Sequence, residues 1–211
     1  MLGITFGYKH SYDDWNLILT DRDISLPEPN RFTVEVPGAN GKLDFTKAVT
    51  PNITYKNRKI SYTFKVKGGP TEWDEMIREI SGYLHGQKMQ VVEDVDEDWM
   101  WDGFWTLDKF KSDRHVGTIT IKGDVYPYKF MIDETEKTIT GNGTLNCTND
   151  RMQVTPEITN TASATIVFNG KSVTLAAGTH KVADFVLEEG DNTFTITSTG
   201  TTKFQYREGA L

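Results

Sequence analysis

The alternation of apolar and polar residues predicts that the first part of the chain is mostly β-strand. Within residues 53–68, Ile60, Tyr62, Phe64 and Val66 recur at every second position and would therefore share one face of a strand. Comparable runs, rich in β-branched and aromatic residues, occupy residues 16–20, 31–36, 88–92 and 115–130. The pattern predicts a mainly β domain in this part of the chain.

One segment changes from the two-residue period to a helical one. Its apolar residues, which form a single stripe at helical spacing, are Trp73, Met76, Ile77, Ile80 and Leu84. Thr71 is the predicted N-cap with Asp74 at the third helical position, His85 falls in the last turn, and Gly86 follows it. The pattern predicts one helix near residues 71–85 that covers one face of a sheet.

Composition changes near residue 131. Of the 24 aromatic residues, 19 lie in residues 1–130, whereas Thr and Ser supply 20 of the last 81 residues. The polar, turn-rich residues 133–143 are typical of a linker. We predict an N-terminal domain over 1–131, β-sandwich-like with one helix and a hairpin, and a small C-terminal β-sandwich over 132–211.

Turn signals in the second part predict two hairpins. Asn169-Gly170 separates two apolar runs within residues 164–175, which is the strongest short-range hairpin signal. A second hairpin is expected within residues 190–208, with its turn at Ser198 to Gly200.

Composition and motifs argue against several classes of function. The net charge is −7 and the sequence has no long run of Lys and Arg, so we expect no sequence-specific nucleic-acid partner. Cys147 is the only cysteine, which rules out an intrachain disulfide and a cysteine-based metal site. No apolar run approaches the roughly 18 residues of a membrane span, and the first residues lack the features of a signal peptide. We expect a cytoplasmically made protein without a membrane partner or cofactor.

The stretch EDVDEDWMWDGFWTLDKF, residues 93–110, is the one candidate for chemistry, because it crowds carboxylates and tryptophans together. As a calcium loop it places Asp94, Asp96 and Asp98 at positions 1, 3 and 5, but Trp99 stands at position 6, where the loop needs glycine. No protease, hydrolase or phosphate-loop motif occurs elsewhere in the sequence. We predict no catalytic residue and no metal ligand.

The same stretch fits a hairpin better than a sugar-cleaving cleft. At strand period, Asp98 and Asp102 face one way while Trp99 and Trp101 face the other, so carboxylates and indoles do not converge. The favoured interpretation is an acidic turn over residues 92–98, followed by a strand that buries the two tryptophans and bulges at Gly103.

The order of these motifs resembles the N-terminal domain of the distal tail (Dit) family of long-tailed bacteriophages. The closest matches are SYDDW at residues 11–15 and PGANGKLD at residues 37–44. These matches are followed, in the order of that family, by a helix, an acidic turn, an aromatic strand and a closing strand that ends in VYPYKF at residues 125–130. The C-terminal part, with its Asn-Gly hairpin, GDNTFTI and FQYREGAL, resembles the galectin-like or carbohydrate-module-like sandwich found there.

This resemblance implies a structural, non-enzymatic role. Members form a hexameric ring at the virion tail tip, assembled in the host cytoplasm. The ring joins the tail tube protein to the tail-associated lysin or spike, with receptor-binding proteins as further partners. Aromatic residues are enriched at protein interfaces, so the predicted intersubunit residues are Trp99, Trp101, Phe104 and Trp105.

Two other functions stay open at this point. A lectin-like carbohydrate-binding module would need exposed aromatic residues on a sheet face, and the second domain has no tryptophan and only Tyr206. A sugar-active enzyme would have to use the acidic residues between Glu93 and Asp102.

Overall fold

The computed structural model describes residues 2–38, 40–49, 52–113 and 115–211. These residues form two compact units, Met1–Pro127 and Tyr128–Leu211. The division lies four residues before the predicted one at residue 131. We call them the first and second unit.

The first unit is mainly β, as the alternation predicts. Its elements are β1 (Ile4–Phe6), β2 (Lys9–His10), β3 (Ile18–Ile24), β4 (Thr33–Glu35), β5 (Lys42–Asp44), α1 (Thr46–Val49), β6 (Arg58–Lys67), α2 (Pro70–Leu84), β7 (Gln87–Glu93), β8 (Asp96–Ser112) and β9 (Val116–Val125). The four-residue helix α1 was not predicted, because its short sequence carries no apolar stripe.

Antiparallel pairing joins seven of these strands into one curled sheet in the order β2-β1-β7-β8-β9-β6-β3, while β4 and β5 pair only with each other. Strands four positions apart in a flat sheet would be about 19 Å apart. Instead, Phe6 on β1 and Tyr62 on β6 place their ring centroids 6.1 Å apart. The sheet therefore curls so that its two ends face each other across a shared apolar core.

Helix α2 packs onto this core, as its apolar stripe predicts. Trp73, Ile80 and Leu84 are its buried residues. Its start differs in detail from the prediction. Gly69 is the N-cap, with Pro70 as the first helical residue, and the Glu72 side chain accepts a hydrogen bond from the Gly69 N–H. Proline pre-sets the helical φ at this position and has no N–H to leave unpaired. Among the described residues, no helix is long and apolar enough to cross a bilayer.

The acidic-aromatic stretch forms the predicted hairpin, with a tighter turn. Glu93 pairs with Asp96, so the turn consists of Asp94 and Val95 alone. The pairing with β7 shifts register between Val92 and Glu93 and runs unbroken through Gly103, so the bulge predicted there is wrong. Gly103 instead permits a close approach, since a Cβ there would lie 2.4 Å from the Val125 Cα.

The second unit is a β-sandwich of the predicted kind. Its strands are β10 (Lys129–Met131), β11 (Thr135–Thr140), β12 (Gly143–Asn149), β13 (Glu157–Asn160), β14 (Ala164–Phe168), β15 (Lys171–Leu175), β16 (Gly178–Lys181), β17 (Gly190–Ser198), β18 (Thr201–Tyr206) and β19 (Gly209–Ala210). Eight of these strands form two sheets, β11-β18-β13-β16 and β12-β17-β14-β15, and β10 pairs with β19. Between the sheets, Phe168 stacks on Phe194, and Phe194 packs against Phe204 at a tilt.

The Asn-Gly hairpin is confirmed. Phe168 pairs with Lys171, and Asn169 and Gly170 adopt φ values of 47° and 77°. A turn with positive φ at both central residues has a backbone twist that matches the twist of the flanking strands. Asn and Gly adopt positive φ most readily, which explains the Asn-Gly preference.

Two other predictions for this part are wrong. Strands β17 and β18 do not form a hairpin, because the chain crosses from one sheet to the other between Ser198 and Thr201. Residues 133–143 are not a linker either, since most of them form β11, which pairs with β18 over its whole length. Its polar composition reflects a strand with one face in water.

Candidate functional site

A long excursion interrupts the sheet of the first unit between β3 and β6. We call residues 25–57 the arm. At its root the Ser25 N–H donates to the Lys59 carbonyl at 3.1 Å. The two legs stay bonded beyond that point, because Lys56 and Asn30 donate their N–H groups to the Glu28 and Thr54 carbonyls, each at 2.8 Å. The arm therefore continues the β3–β6 pairing outward as two hydrogen-bonded legs.

The end of the arm is a two-stranded hairpin formed by β4 and β5. Val34 pairs with Leu43, and the Phe45 N–H donates to the Phe32 carbonyl at 2.8 Å. Because side chains alternate across a strand, this register places every large apolar residue of the hairpin on one face. Those residues are Phe32, Val34, Val36, Leu43 and Phe45; Thr33, Glu35, Lys42 and Asp44 occupy the other face.

A local network holds the base of this hairpin. The Asp44 carboxylate accepts a hydrogen bond from the Thr46 N–H at 2.8 Å, and the Thr46 hydroxyl accepts one from the Phe32 N–H at 2.8 Å. Hydrogen bonds from the side chain and the backbone of Thr46 hold the pKa of Asp44 below its usual value. Thr46, which Asp44 holds in place, thus fixes the returning leg against the outgoing one.

The apolar face of the hairpin is open to water in the single chain. Phe32 is 54% exposed and Leu43 is 51% exposed. Of the fifteen large apolar side chains exposed in the described part of the chain, eight lie between Leu26 and Ile53. A two-stranded hairpin is marginal in water by itself, and contiguous exposed apolar surface marks an interaction site. The apolar face of the arm is therefore a candidate interaction surface.

Sequence reasoning predicted a strand over residues 31–36 but missed the exposed face. The signal that could have found it is the turn cluster at 37–41, which separates Phe32, Val34 and Val36 from Leu43 and Phe45. That spacing is typical of a hairpin with one apolar face. The cost of leaving such a face in water, about 25 cal/mol per Å², makes it the strongest interaction signal in the first unit.

The predicted intersubunit residues divide into two groups. Trp101 and Trp105 are 3% and 0% exposed and belong to the core of the first unit. Trp105 stacks on Tyr62 at 5.7 Å between ring centroids, and Trp101 lies under the Arg58 guanidinium at 4.9 Å. For these two residues, burial assigns the side chains to the core of their own unit. Phe104, at 55% exposure, and the half-buried Trp99 keep surface for a partner.

Phe104 lies at one edge of a groove on the outer face of the sheet, with a volume of about 680 Å³. Two rows of cross-strand neighbours line it. One row is Phe104, Asp124, Lys59 and Ser25; the other is Thr106, Lys122, Ser61 and Asp23. Lys59 and Asp124 form an ion pair at 2.7 Å, and the lysine's hydrogen bond lowers the pKa of that aspartate.

The acidic residues of the candidate stretch do not meet in a cleft. Glu93 is fully buried and accepts a hydrogen bond from the Tyr62 hydroxyl at 2.6 Å. Asp102 lies on the outer face and pairs with Lys88 at 3.0 Å. The sheet separates these two carboxylates, so they do not form the facing pair that glycoside hydrolysis uses.

Comparisons with known proteins agree with the fold predicted from the motif order. No family model matches the sequence, and no curated protein matches it. Among solved structures, the chain is similar to the Dit protein (gp 19.1) of phage SPP1, described as a paradigm of the hub adsorption apparatus in phages that infect Gram-positive bacteria. That match covers 100% of both chains with a TM-score of 0.73 and 12% identity. A conserved protein of unknown function from Pseudomonas aeruginosa PAO1, PA5104, matches over 90% of this chain with 12% identity and a TM-score of only 0.27. The chain therefore has a Dit-like fold over its whole length.

Proposed function

We propose that this chain is a structural distal tail protein of a long-tailed bacteriophage or prophage. It forms a hexameric ring at the virion tail tip, and the ring joins the tail tube protein to the baseplate or tail-tip proteins below, among them a tail-associated lysin or spike. The observation that carries the proposal is the full-length similarity in fold to a phage hub protein, at a TM-score of 0.73.

The arm supplies the means of self-assembly. A closed ring of identical subunits needs a heterologous contact, in which one patch of each copy meets a different patch of the next. The apolar face of the β4–β5 hairpin is such a patch, because it is exposed in the single chain and stands on two hydrogen-bonded legs. Burial of that face between copies supplies the apolar core that an interface requires.

Light scattering coupled to size-exclusion chromatography tests the proposal. At high protein concentration we expect a species of about 143 kDa, six times the 23.9 kDa chain, with six-fold rings in negative-stain images. A protein that stays at 23.9 kDa at millimolar concentration, and stays so when mixed with tail tube protein from the same genome, would contradict it.

A further inference from the structure

We propose that the groove beside Phe104 binds a neutral oligosaccharide. The groove lies on the outer sheet face of the first unit, whereas the resemblance to carbohydrate modules concerns the second unit. The proposal goes beyond the proposed function, because it concerns the single chain and holds whether or not that chain assembles.

An exposed aromatic side chain gives this groove a platform on which a sugar stacks. Phe104 is 55% exposed, and its partners on the two neighbouring strands, Lys88 and Asp124, are charged. The C–H groups of a sugar pack on the electron-rich face of an aromatic side chain, while its hydroxyl groups bond to polar side chains around it. Tyr206, the aromatic residue that the sequence offered for this role in the second domain, is only 3% exposed. Phe104 therefore meets the requirement for an exposed aromatic residue on a sheet face.

Hydroxyl groups and a carboxylate line the rest of the groove. Thr106 lies on β8, Ser61 on β6, Asp23 on β3, and Ser25 directly after β3. The hydroxyl groups of a sugar both donate and accept hydrogen bonds, so they match these side chains. Because neighbouring strands are about 4.8 Å apart, the polar surface extends about 14 Å from Phe104 across β9 and β6 to β3. This length exceeds that of one sugar unit, so the groove accommodates an oligosaccharide.

The charges in the groove favour a ligand without charge. Lys59 pairs with Asp124 at 2.7 Å, and Lys122 pairs with Asp108 at 2.9 Å. Carboxylates thus already neutralise both lysines, and Asp23 adds a further negative charge. A phosphate or an acidic sugar would have to compete with those carboxylates for the lysines. A neutral sugar instead uses the ion pairs as fixed donors and acceptors.

Other classes of ligand fit this surface less well. The strands β8, β9 and β6 each pair with a strand on both sides, so the groove offers no free strand edge to an extended peptide. Ile60 also lines the groove, but its side chain is 1% exposed and belongs to the core. A lipid chain or an apolar helix would therefore meet the Phe104 side chain among polar groups. A sugar matches both the aromatic side chain and its polar surroundings.

Saturation-transfer NMR on the full chain tests the site, at a dilution where light scattering shows single copies. The neutral probes are maltotriose, cellotriose and chitotriose, offered at millimolar concentration. The charged comparisons are trigalacturonate and glycerol 2-phosphate. Phe104→Ala removes the platform, and Phe104→Trp keeps an aromatic face. The matched control is Tyr8→Ala, since Tyr8 is 80% exposed in the same unit and does not line the groove.

We expect at least one neutral trisaccharide to bind the native chain with a millimolar dissociation constant. Phe104→Ala should weaken that binding at least tenfold, whereas Tyr8→Ala should change it less than twofold and Phe104→Trp should bind at least as tightly as the native chain. Because Phe104 is more than half exposed, the urea denaturation midpoint of Phe104→Ala should match that of the native chain. Asp23→Ala, at the far end of the groove, should weaken binding at least threefold, and it provides the test if Phe104→Ala does not fold.

Three results would overturn the proposal. Failure of all three neutral trisaccharides to bind the native chain would show that the groove is not a sugar site, and a loss of assembly in Phe104→Ala would then assign Phe104 to a protein contact. Sugar binding that survives both Phe104→Ala and Asp23→Ala would place the sugar on another surface of the chain. Tighter binding of trigalacturonate or glycerol 2-phosphate than of every neutral probe would assign the groove to an anionic ligand.

Discussion

The Tyr62 hydroxyl lies 2.6 Å from a carboxylate oxygen of Glu93, and both side chains are fully buried in the first unit. Arg22 brings its Nε to 3.1 Å from the same oxygen. The acidic residue that opens the candidate stretch is thus held in the core by a phenol and a guanidinium. Removing one partner from such a buried polar cluster is strongly destabilising, because it leaves the other groups without their hydrogen bonds.

Tyr62→Phe should therefore destabilise the first unit by about 1–3 kcal/mol, because it removes a hydrogen bond to a buried charged group. Tryptophan fluorescence during urea denaturation measures this, since all five tryptophans lie in the first unit. The matched control is Tyr8→Phe, whose ring is 80% exposed; it should change stability by less than about 0.5 kcal/mol. Equal stability of the two variants would show that the hydroxyl of Tyr62 contributes nothing.

The same tyrosine predicts a loss of stability at alkaline pH. Burial, followed by the negative charge of Glu93, raises the pKa of Tyr62 well above its ordinary value of 10.0. Its stabilising contribution is fully present below pH 10 and is lost above it, because only the unfolded chain releases the proton there. The loss is at most about 1.4 kcal/mol per pH unit for one such group.

Thermal unfolding followed by tryptophan fluorescence from pH 8.5 to pH 11.5 tests this. The melting temperature of the native chain should fall more steeply above pH 10 than that of Tyr62→Phe. Parallel curves would mean that Tyr62 does not contribute to the alkaline transition.

Two glycines in the first unit should respond to alanine in opposite directions. A Cβ at Gly123 would lie 2.7 Å from the Trp105 ring, so Gly123→Ala should cost about 1–3 kcal/mol through overpacking of the core. Gly82 lies on the exposed side of α2 with nothing within 4 Å of a Cβ. Gly82→Ala should stabilise by up to about 1 kcal/mol, since glycine is a poor helix former. Urea denaturation of both variants provides the comparison, and a stabilising Gly123→Ala would contradict the packing described for Trp105.

Local periodicity was enough to predict the elements whose partners lie close in sequence. The stripe that includes Trp73 and Ile80 predicted α2, and Asn169-Gly170 predicted the β14–β15 hairpin. In both cases the pattern and the contact involve the same few residues.

Periodicity failed where the partner of a strand lies far away. The apolar residues of β17 and β18 alternate as a hairpin would, yet the strands belong to different sheets, and Phe194 meets Phe204 across the core at 4.7 Å. Alternation records which residues are apolar but not which strand lies alongside. Alternation places Trp105 and Phe104 on opposite faces of β8, but it could not predict which of the two faces is buried and which stays exposed at the groove.

The apolar face of the arm gives the sharpest test of assembly, because neighbouring residues of β4 point to opposite faces. Val34→Lys places a charge on the apolar face, and Thr33→Lys places the same charge on the polar face of the same strand. We expect Val34→Lys to weaken the contact between subunits at least tenfold, about 1.4 kcal/mol, whereas Thr33→Lys should change it less than twofold. Light scattering over a dilution series measures both. Val34 is already 39% exposed in the single chain, so the urea denaturation midpoint of the dilute variant should match that of the native chain. A Val34→Lys protein that assembles like Thr33→Lys would assign the subunit contact to a surface other than the arm.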